Sequence, residues 1–281
     1  RGFYSSFQYV TLIGGQLCAI FVLLVLQNVF LTADEIRAWG WRIPFVIGAL
    51  LAVVTAIMRR NLHETDAYLE AKKASGESSL RSLFKYPREL LIVVGLTAGG
   101  TAAFYTYTTY MQKFLRLSVG LGDNQTTMLT AASLIFALFL QPLYGALSDR
   151  IGRKWLLIFF GACGTLFTIP LLSALIQTKT ALGAFLLIAA AWLIVSGYTS
   201  INAVVKAELF PANVRATGVG LPYALTVSIF GGTADPIALW FKSIGHEHWF
   251  AYYLTGIIAF SLTVYVTMRD TKKHSALQRH E

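Results

Sequence analysis

The chain has 281 residues, of which 56% are hydrophobic and only 13% charged, and its mean hydropathy is +0.59. Soluble domains carry about 25% charged residues, so this composition excludes a soluble enzyme and a disordered chain. The net charge of +9 arises from 23 Lys and Arg against 14 Asp and Glu, but the cations sit in short clusters between long uncharged stretches, which argues against a nucleic-acid binder.

Eight stretches contain no Asp, Glu, Lys or Arg: 2–33, 43–58, 90–112, 124–148, 155–178, 180–205, 216–234 and 248–268. A helix crosses a bilayer core of about 30 Å with about 20 apolar residues. Seven of the runs approach or exceed that length, and 43–58 reaches it by taking in Trp39, Gly40 and Trp41. The alternating strands of about 10 residues that build a membrane barrel are missing. The expected fold is an all-α polytopic membrane protein with eight transmembrane helices. Cys18 and Cys163 fall inside apolar runs and are expected to be small buried residues rather than a disulfide.

Eight spans put both chain ends on one side. That side carries 17 of the 23 Lys and Arg, in the segments 59–89, 149–154, 206–215 and the ends. By the positive-inside rule it is cytoplasmic. The long hydrophilic segment 59–89 separates two spans from six. Two plus six is natural if four more spans precede Arg1. The expected organisation is 1–58 as the last two spans of an N-terminal six-helix half, 59–89 as a central cytoplasmic loop, 90–268 as a C-terminal six-helix half, and 269–281 as a cytoplasmic tail.

Several motifs narrow the class. Gly145-Ala-Leu-Ser-Asp149-Arg150-Ile-Gly152-Arg153-Lys154 joins two spans on the basic side. Glu208-Leu-Phe-Pro211-Ala-Asn-Val-Arg215-Ala-Thr-Gly218 joins two more, and Trp39-Gly-Trp-Arg42-Ile-Pro44 opens the second span. The first resembles the G-x-L-x-D-R-x-G-R-R loop of the major facilitator superfamily. The second resembles the E-x-F-P-x-x-V-R-x-x-G loop after that fold's tenth span. The third resembles the entrance to the sixth span in its metabolite:proton symporter branch. Gly2–Gln8 and Phe104–Lys113 resemble most the α-ketoglutarate carriers of that branch. The resemblance covers the whole chain, as spans five to twelve of twelve, and implies a major facilitator type helix bundle.

Candidate site residues follow in chain order. Gln16 lies mid-span beside Gly14 and Gly15, where a buried amide needs partners; ligand contact and interhelical bonding are both open. Arg42, flanked by Trp, is either an interfacial anchor or a partner for a substrate or gate carboxylate. Thr97, Thr101, Tyr105, Thr108 and Gln112 recur at spacings of 4, 4, 3 and 4 and so share one face of an α-helix. That stripe is either helix packing or, as the resemblance implies, a cavity wall. Tyr198 and Asn202 sit among Ser196 and Thr199 in a second polar run ending at Lys206. Asp235, an acid in an apolar stretch, is either a water-exposed acid at a Pro-kinked helix end or a proton-coupling group. Gly145, Asp149, Arg150, Gly152 and Arg153 form the expected gate. There Asp149 meets a helix N-terminus near Gly2, and Glu208 and Arg215 are expected to pair across the Pro211 turn.

The resemblance implies a secondary active transporter: proton symport of a small organic acid, a dicarboxylate such as α-ketoglutarate, in a bacterial cytoplasmic (inner) membrane. Symport of citrate, shikimate, proline or betaine, and a transporter-like metabolite sensor, are the alternatives. The expected partners are substrate, protons and the lipid bilayer. The protein is expected to be monomeric, with no catalytic residues, metal, cofactor or nucleic acid, and to be driven by the proton gradient.

Overall fold

The computed structural model describes residues 1–60, 83–178 and 180–271. Among the described residues there is no strand. Eight helices are long and apolar enough to cross a membrane: α1 (Gly2–Phe30), α2 (Gly40–Arg60), α3 (Pro87–Val119), α4 (Asp123–Ile151), α5 (Arg153–Gln177), α6 (Ala181–Leu209), α7 (Val214–Ser243) and α8 (His248–Thr267). They match the eight charge-free runs one for one. In lipid every backbone N–H and C=O must be satisfied within the segment, and helices do this. Most of the segment 59–89 and of the tail, at 61–82 and 272–281, lies outside the described residues.

Apart from the segment between α2 and α3, the connections are short. Between α1 and α2 a single helical turn and a half, Ala33–Ala38, is held by a capping box. The Thr32 hydroxyl accepts from the Glu35 N–H, and the Glu35 carboxylate accepts from the Thr32 N–H at 2.8 Å. The Thr32 N–H and then its hydroxyl, both donating to the Glu35 carboxylate, hold that carboxyl below its ordinary pKa.

Helix α3 is the hub, with the most deeply buried window of the eight spans. Its small residues admit its neighbours. A Cβ on Gly99 would meet the Ile258 Cα of α8 at 2.8 Å, and one on Gly100 would meet the Tyr198 ring of α6 at 2.3 Å. The Gly99 N–H donates to Ser261 Oγ at 2.8 Å, and that hydroxyl donates to the Gly95 carbonyl at 2.6 Å. The Gly95-x-x-x-Gly99 motif is thus the α3–α8 crossing. On the α7 side, Gly231 lies against Thr101 and Tyr105. Helix α4 joins α6 through buried Gln141, which donates to Ser196 Oγ at 3.2 Å and accepts from Thr199 Oγ1 at 2.8 Å. Helix α1 docks on α4 where Gly2 and Ser6 meet Gly145. From Ile43 onward helix α2 has no buried residue.

Two expectations are corrected. Cys18 is exposed and Cys163 half-buried, so neither is a core residue, although both are free thiols. The stripe on α3 does not follow one α-helical face. The helix leaves α geometry at Tyr105 and makes π turns over Thr106–Tyr110 and Leu115–Val119. A π turn advances each residue by less than 100°, so Thr108 and Gln112 rotate away from the line of Thr97 and Thr101.

Gly99→Leu should therefore lower the melting temperature of the full-length protein in detergent, because backbone of α8 rather than a pliable side chain fills the space. Overpacking costs about 1–3 kcal/mol. Gly48→Leu, where nothing stands within 4 Å, should leave the melting temperature unchanged.

Candidate functional site

Two charged clusters and one polar seam stand out, at opposite ends of the bundle and between them. At one end, Gly152 ends α4 with φ 98° and ψ 163°, a conformation close to exclusive to glycine. This turn sets Arg153 back beneath α4. Arg153 is 3% exposed. Its guanidinium lies 3.2 Å from Asp149 and 3.6 Å from Glu208, and donates to the Ser148 carbonyl at 3.1 Å. Asp149 in turn accepts the Gly2 N–H at 2.8 Å and the Phe3 N–H at 3.0 Å, at the first turn of α1. Lys154 donates to the Val266 carbonyl of α8 at 2.7 Å. Arg150 is exposed at the end of α4. The expected Glu208–Arg215 pair does not form. Glu208 turns to Arg153, and the Arg215 Nε donates to the Phe210 carbonyl at 3.1 Å, five residues back across the Pro211 turn.

At the other end, Lys113 of α3 and Asp235 of α7 pair at 2.5 Å. Asp235 sits in the first turn of the outer segment of α7, Ala234–Ser243. Its Oδ1 is buried without a hydrogen bond. Neither sequence reading anticipated this partner. The bend lies before the acid, in the π turn Val227–Gly231, and Pro236 follows it inside the new helix. Nearby, Lys242 pairs with Glu247 at 3.0 Å, and Ser118 donates to the same carboxylate. Arg42 stands apart from this group. It is exposed, stacked 4.6 Å from the Trp41 ring centroid, and donates to the Ala38 carbonyl at 3.0 Å.

Between the ends runs a polar seam where α1, α3, α6 and α7 meet. Tyr198 is fully buried, and its hydroxyl lies beside those of Thr97 and Thr101; none of the three makes a hydrogen bond of good geometry. Tyr9 of α1 is 2% exposed and stacks edge-on against Phe104 at 5.0 Å. Its hydroxyl lies among Tyr198, Tyr223 and Asn202. Asn202 donates to the Thr199 carbonyl at 2.9 Å, while its Oδ1 is buried and unpaired. Tyr105 is half-buried against Gly231 and near Tyr223. Lys206 is 2% exposed, with its Nζ 3.6 Å from the Tyr223 ring centroid. Gln16 reaches α3 from outside this seam, donating to the Thr108 carbonyl at 3.4 Å. The Thr108 hydroxyl donates to its own helix, at Phe104, and Gln112 is half-buried nearby.

Comparison with known proteins decides the family. The Major Facilitator Superfamily profile matches residues 36–234 and 112–281. The chain belongs to the Major Facilitator Superfamily. It is 48% identical over 94% of its length to the α-ketoglutarate permease of Escherichia coli K12, and covers 61% of that protein. It is 31% identical over 85% of its length to a citrate-proton symporter of Klebsiella pneumoniae, covering 54% of it. It is 27% identical over 96% of its length to a proline/betaine transporter of E. coli K12, covering 56% of it. The chain thus spans somewhat more than half the length of these relatives.

Sequence reasoning on this superfamily chain missed Tyr9, Gln141, Tyr223 and Lys206 as site or packing residues. In the sequence Lys206 falls at the start of the basic segment 206–215. Its spacing of four from Asn202 would have placed it on the polar face of α6.

Asp149→Asn in the full-length protein should weaken the docking of α1 on α4 and lower the melting temperature. The amide keeps the shape but loses the charge that favours a helix N-terminus, worth about 0.3–2 kcal/mol. Thermal unfolding in detergent checks this. At the other end, Lys113→Met should destabilise more than Lys113→Met combined with Asp235→Leu, since the single change strands a carboxylate. The difference should fall between the ~0–1 kcal/mol of an exposed pair and the ~3–5 kcal/mol of a buried one, read by thermal unfolding.

Proposed function

We propose that the full-length protein is a proton-coupled symporter of a small dicarboxylate, α-ketoglutarate in the first place, in a bacterial inner membrane. The observation that carries this reading is the 48% identity to the α-ketoglutarate permease along 94% of the chain, against 31% and 27% to the citrate and proline/betaine carriers. The site supports it chemically. A seam of Tyr and Thr hydroxyls with one buried cation suits an anion rich in oxygen acceptors. No bond is made or broken in this reading, and the proton gradient supplies the driving force.

The bundle end that carries Asp149 is assigned to the cytoplasm because the Lys and Arg excess lies there. The Asp149–Arg153–Glu208 cluster then closes the cytoplasmic face, tying α1 to α4, α5 and α6. Superfamily transporters expose a midplane site to each face in turn by rocking one helix set against another. Breaking and remaking the bond between Asp149 and the first turn of α1 is the step that the rocking requires. Asp235, bonded to Lys113, acts in this reading as a latch near the outer face.

Uptake of labelled α-ketoglutarate by cells that carry the full-length gene and lack their own dicarboxylate carriers tests this. Accumulation should collapse with a protonophore and compete with other dicarboxylates better than with proline. Accumulation of proline or betaine in place of α-ketoglutarate contradicts it, as does uptake that ignores the proton gradient.

A further inference from the structure

Lys206 is a charge without a counter-charge. It is 2% exposed, and among the described residues no acid lies within ion-pair distance of it. Its contact is with a ring: the Nζ sits 3.6 Å from the Tyr223 centroid. Removing an ammonium from water costs several kcal/mol even after relaxation, whereas a cation–π contact returns about 0.5–2 kcal/mol. That contact leaves most of the cost uncovered. Beyond the Tyr223 ring lie further polar groups. The Tyr198 hydroxyl, close to Tyr223 and Tyr9, lies beside the Thr97 and Thr101 hydroxyls, and none of these three buried hydroxyls makes a hydrogen bond of good geometry. Buried polar groups are usually paired, and here a cation and three potential O–H donors go unpaired in one seam fed by α1, α3, α6 and α7. Together they form a set that an anionic oxygen ligand would complete.

We propose that Lys206 binds one carboxylate of the transported acid, with the Tyr198, Thr97 and Thr101 hydroxyls donating to the same molecule and Tyr223 positioning the ammonium from below. This deepens the dicarboxylate reading and rests on it. The placement also links cargo to gate. Lys206 is two residues before Glu208, which pairs with Arg153, and Arg153 pairs with Asp149. A carboxylate drawn to Lys206 therefore pulls on the short helical segment Asn202–Leu209 that carries one arm of the latch.

The test uses purified full-length protein in detergent and α-ketoglutarate as the probe. Lys206→Met and Lys206→Gln should raise its Kd about 10- to 100-fold, the loss expected for a charge-assisted hydrogen bond. The same variants should keep or raise the melting temperature without ligand, because they remove an uncompensated buried charge. A purely structural lysine would lower that melting temperature and leave the Kd of the folded fraction within about two-fold, which overturns the proposal. If neither variant folds, the wild type answers. Reductive methylation of Lys206, followed by mass spectrometry, should slow when α-ketoglutarate is present and not when proline is. An unchanged rate overturns the proposal. Wild-type protein that transports α-ketoglutarate while the Lys206 variants bind it normally refutes only this inference. Wild-type protein that binds no dicarboxylate refutes it together with the function it rests on.

Discussion

A single buried guanidinium organises one end of the bundle. Arg153 cannot sit 3% exposed without partners, since an unpaired buried charge costs several kcal/mol. Its partners come from two directions, Asp149 from the preceding helix and Glu208 from the end of α6. The turn that makes this possible needs Gly152, whose φ of 98° excludes side chains. A Cβ there would also strike the Asp270 carboxylate at 2.5 Å. Held by Arg153, the Asp149 carboxylate faces outward to the Gly2 and Phe3 amides. One arginine thereby fixes where α1 meets the other helices.

The centre obeys a different constraint. Helix α3 must touch α6, α7 and α8 at once, and Gly95, Gly99 and Gly100 let their side chains reach its backbone. Little room remains there for apolar bulk, so the spaces between helices are bridged by hydroxyls. Some of these close on protein. Ser261 bonds across to Gly95, Tyr265 donates to the Leu96 carbonyl at 2.9 Å, and Ser196 and Thr199 engage Gln141. Others, at Thr97, Thr101 and Tyr198, do not. Interhelical hydrogen bonds in membranes are worth about 0.6 kcal/mol on average, so the satisfied ones are packing details. The unsatisfied ones mark where a ligand has something to gain.

How much of this was legible in the sequence depends on the range of the interaction. The eight spans could be counted because charge avoidance over about 20 residues is a local consequence of the bilayer. The turn at Gly145–Lys154 could be recognised because its glycines and charges act within ten residues. The pairing of Glu208 was misjudged because proximity in sequence favoured Arg215, while Arg153, buried and 55 positions away, offered the stronger partner. The α3 stripe was drawn on a 3.6-residue period, which π turns beyond Tyr105 break. Ser196 and Thr199 bond Gln141, an amide 55 to 58 residues earlier, and nothing within their own polar run points to that partner. Lys206 was hidden by its position at the edge of a charged loop, since nothing local distinguishes a solvated loop lysine from one folded back beneath a tyrosine ring.

These constraints describe one face latched by a few charge-assisted bonds, next to a seam with several buried polar atoms that lack a partner of good geometry. Such a latch must be able to let go. Double electron–electron resonance between spin labels at Tyr4→Cys and Ile151→Cys, both exposed beside the Asp149 contact, in cysteine-free full-length protein, measures this directly. The account predicts a short distance for the closed face and a second, longer one, with Asp149→Asn shifting population to the longer. A single short distance that Asp149→Asn leaves unchanged would show that this contact is a fixed joint, not a gate.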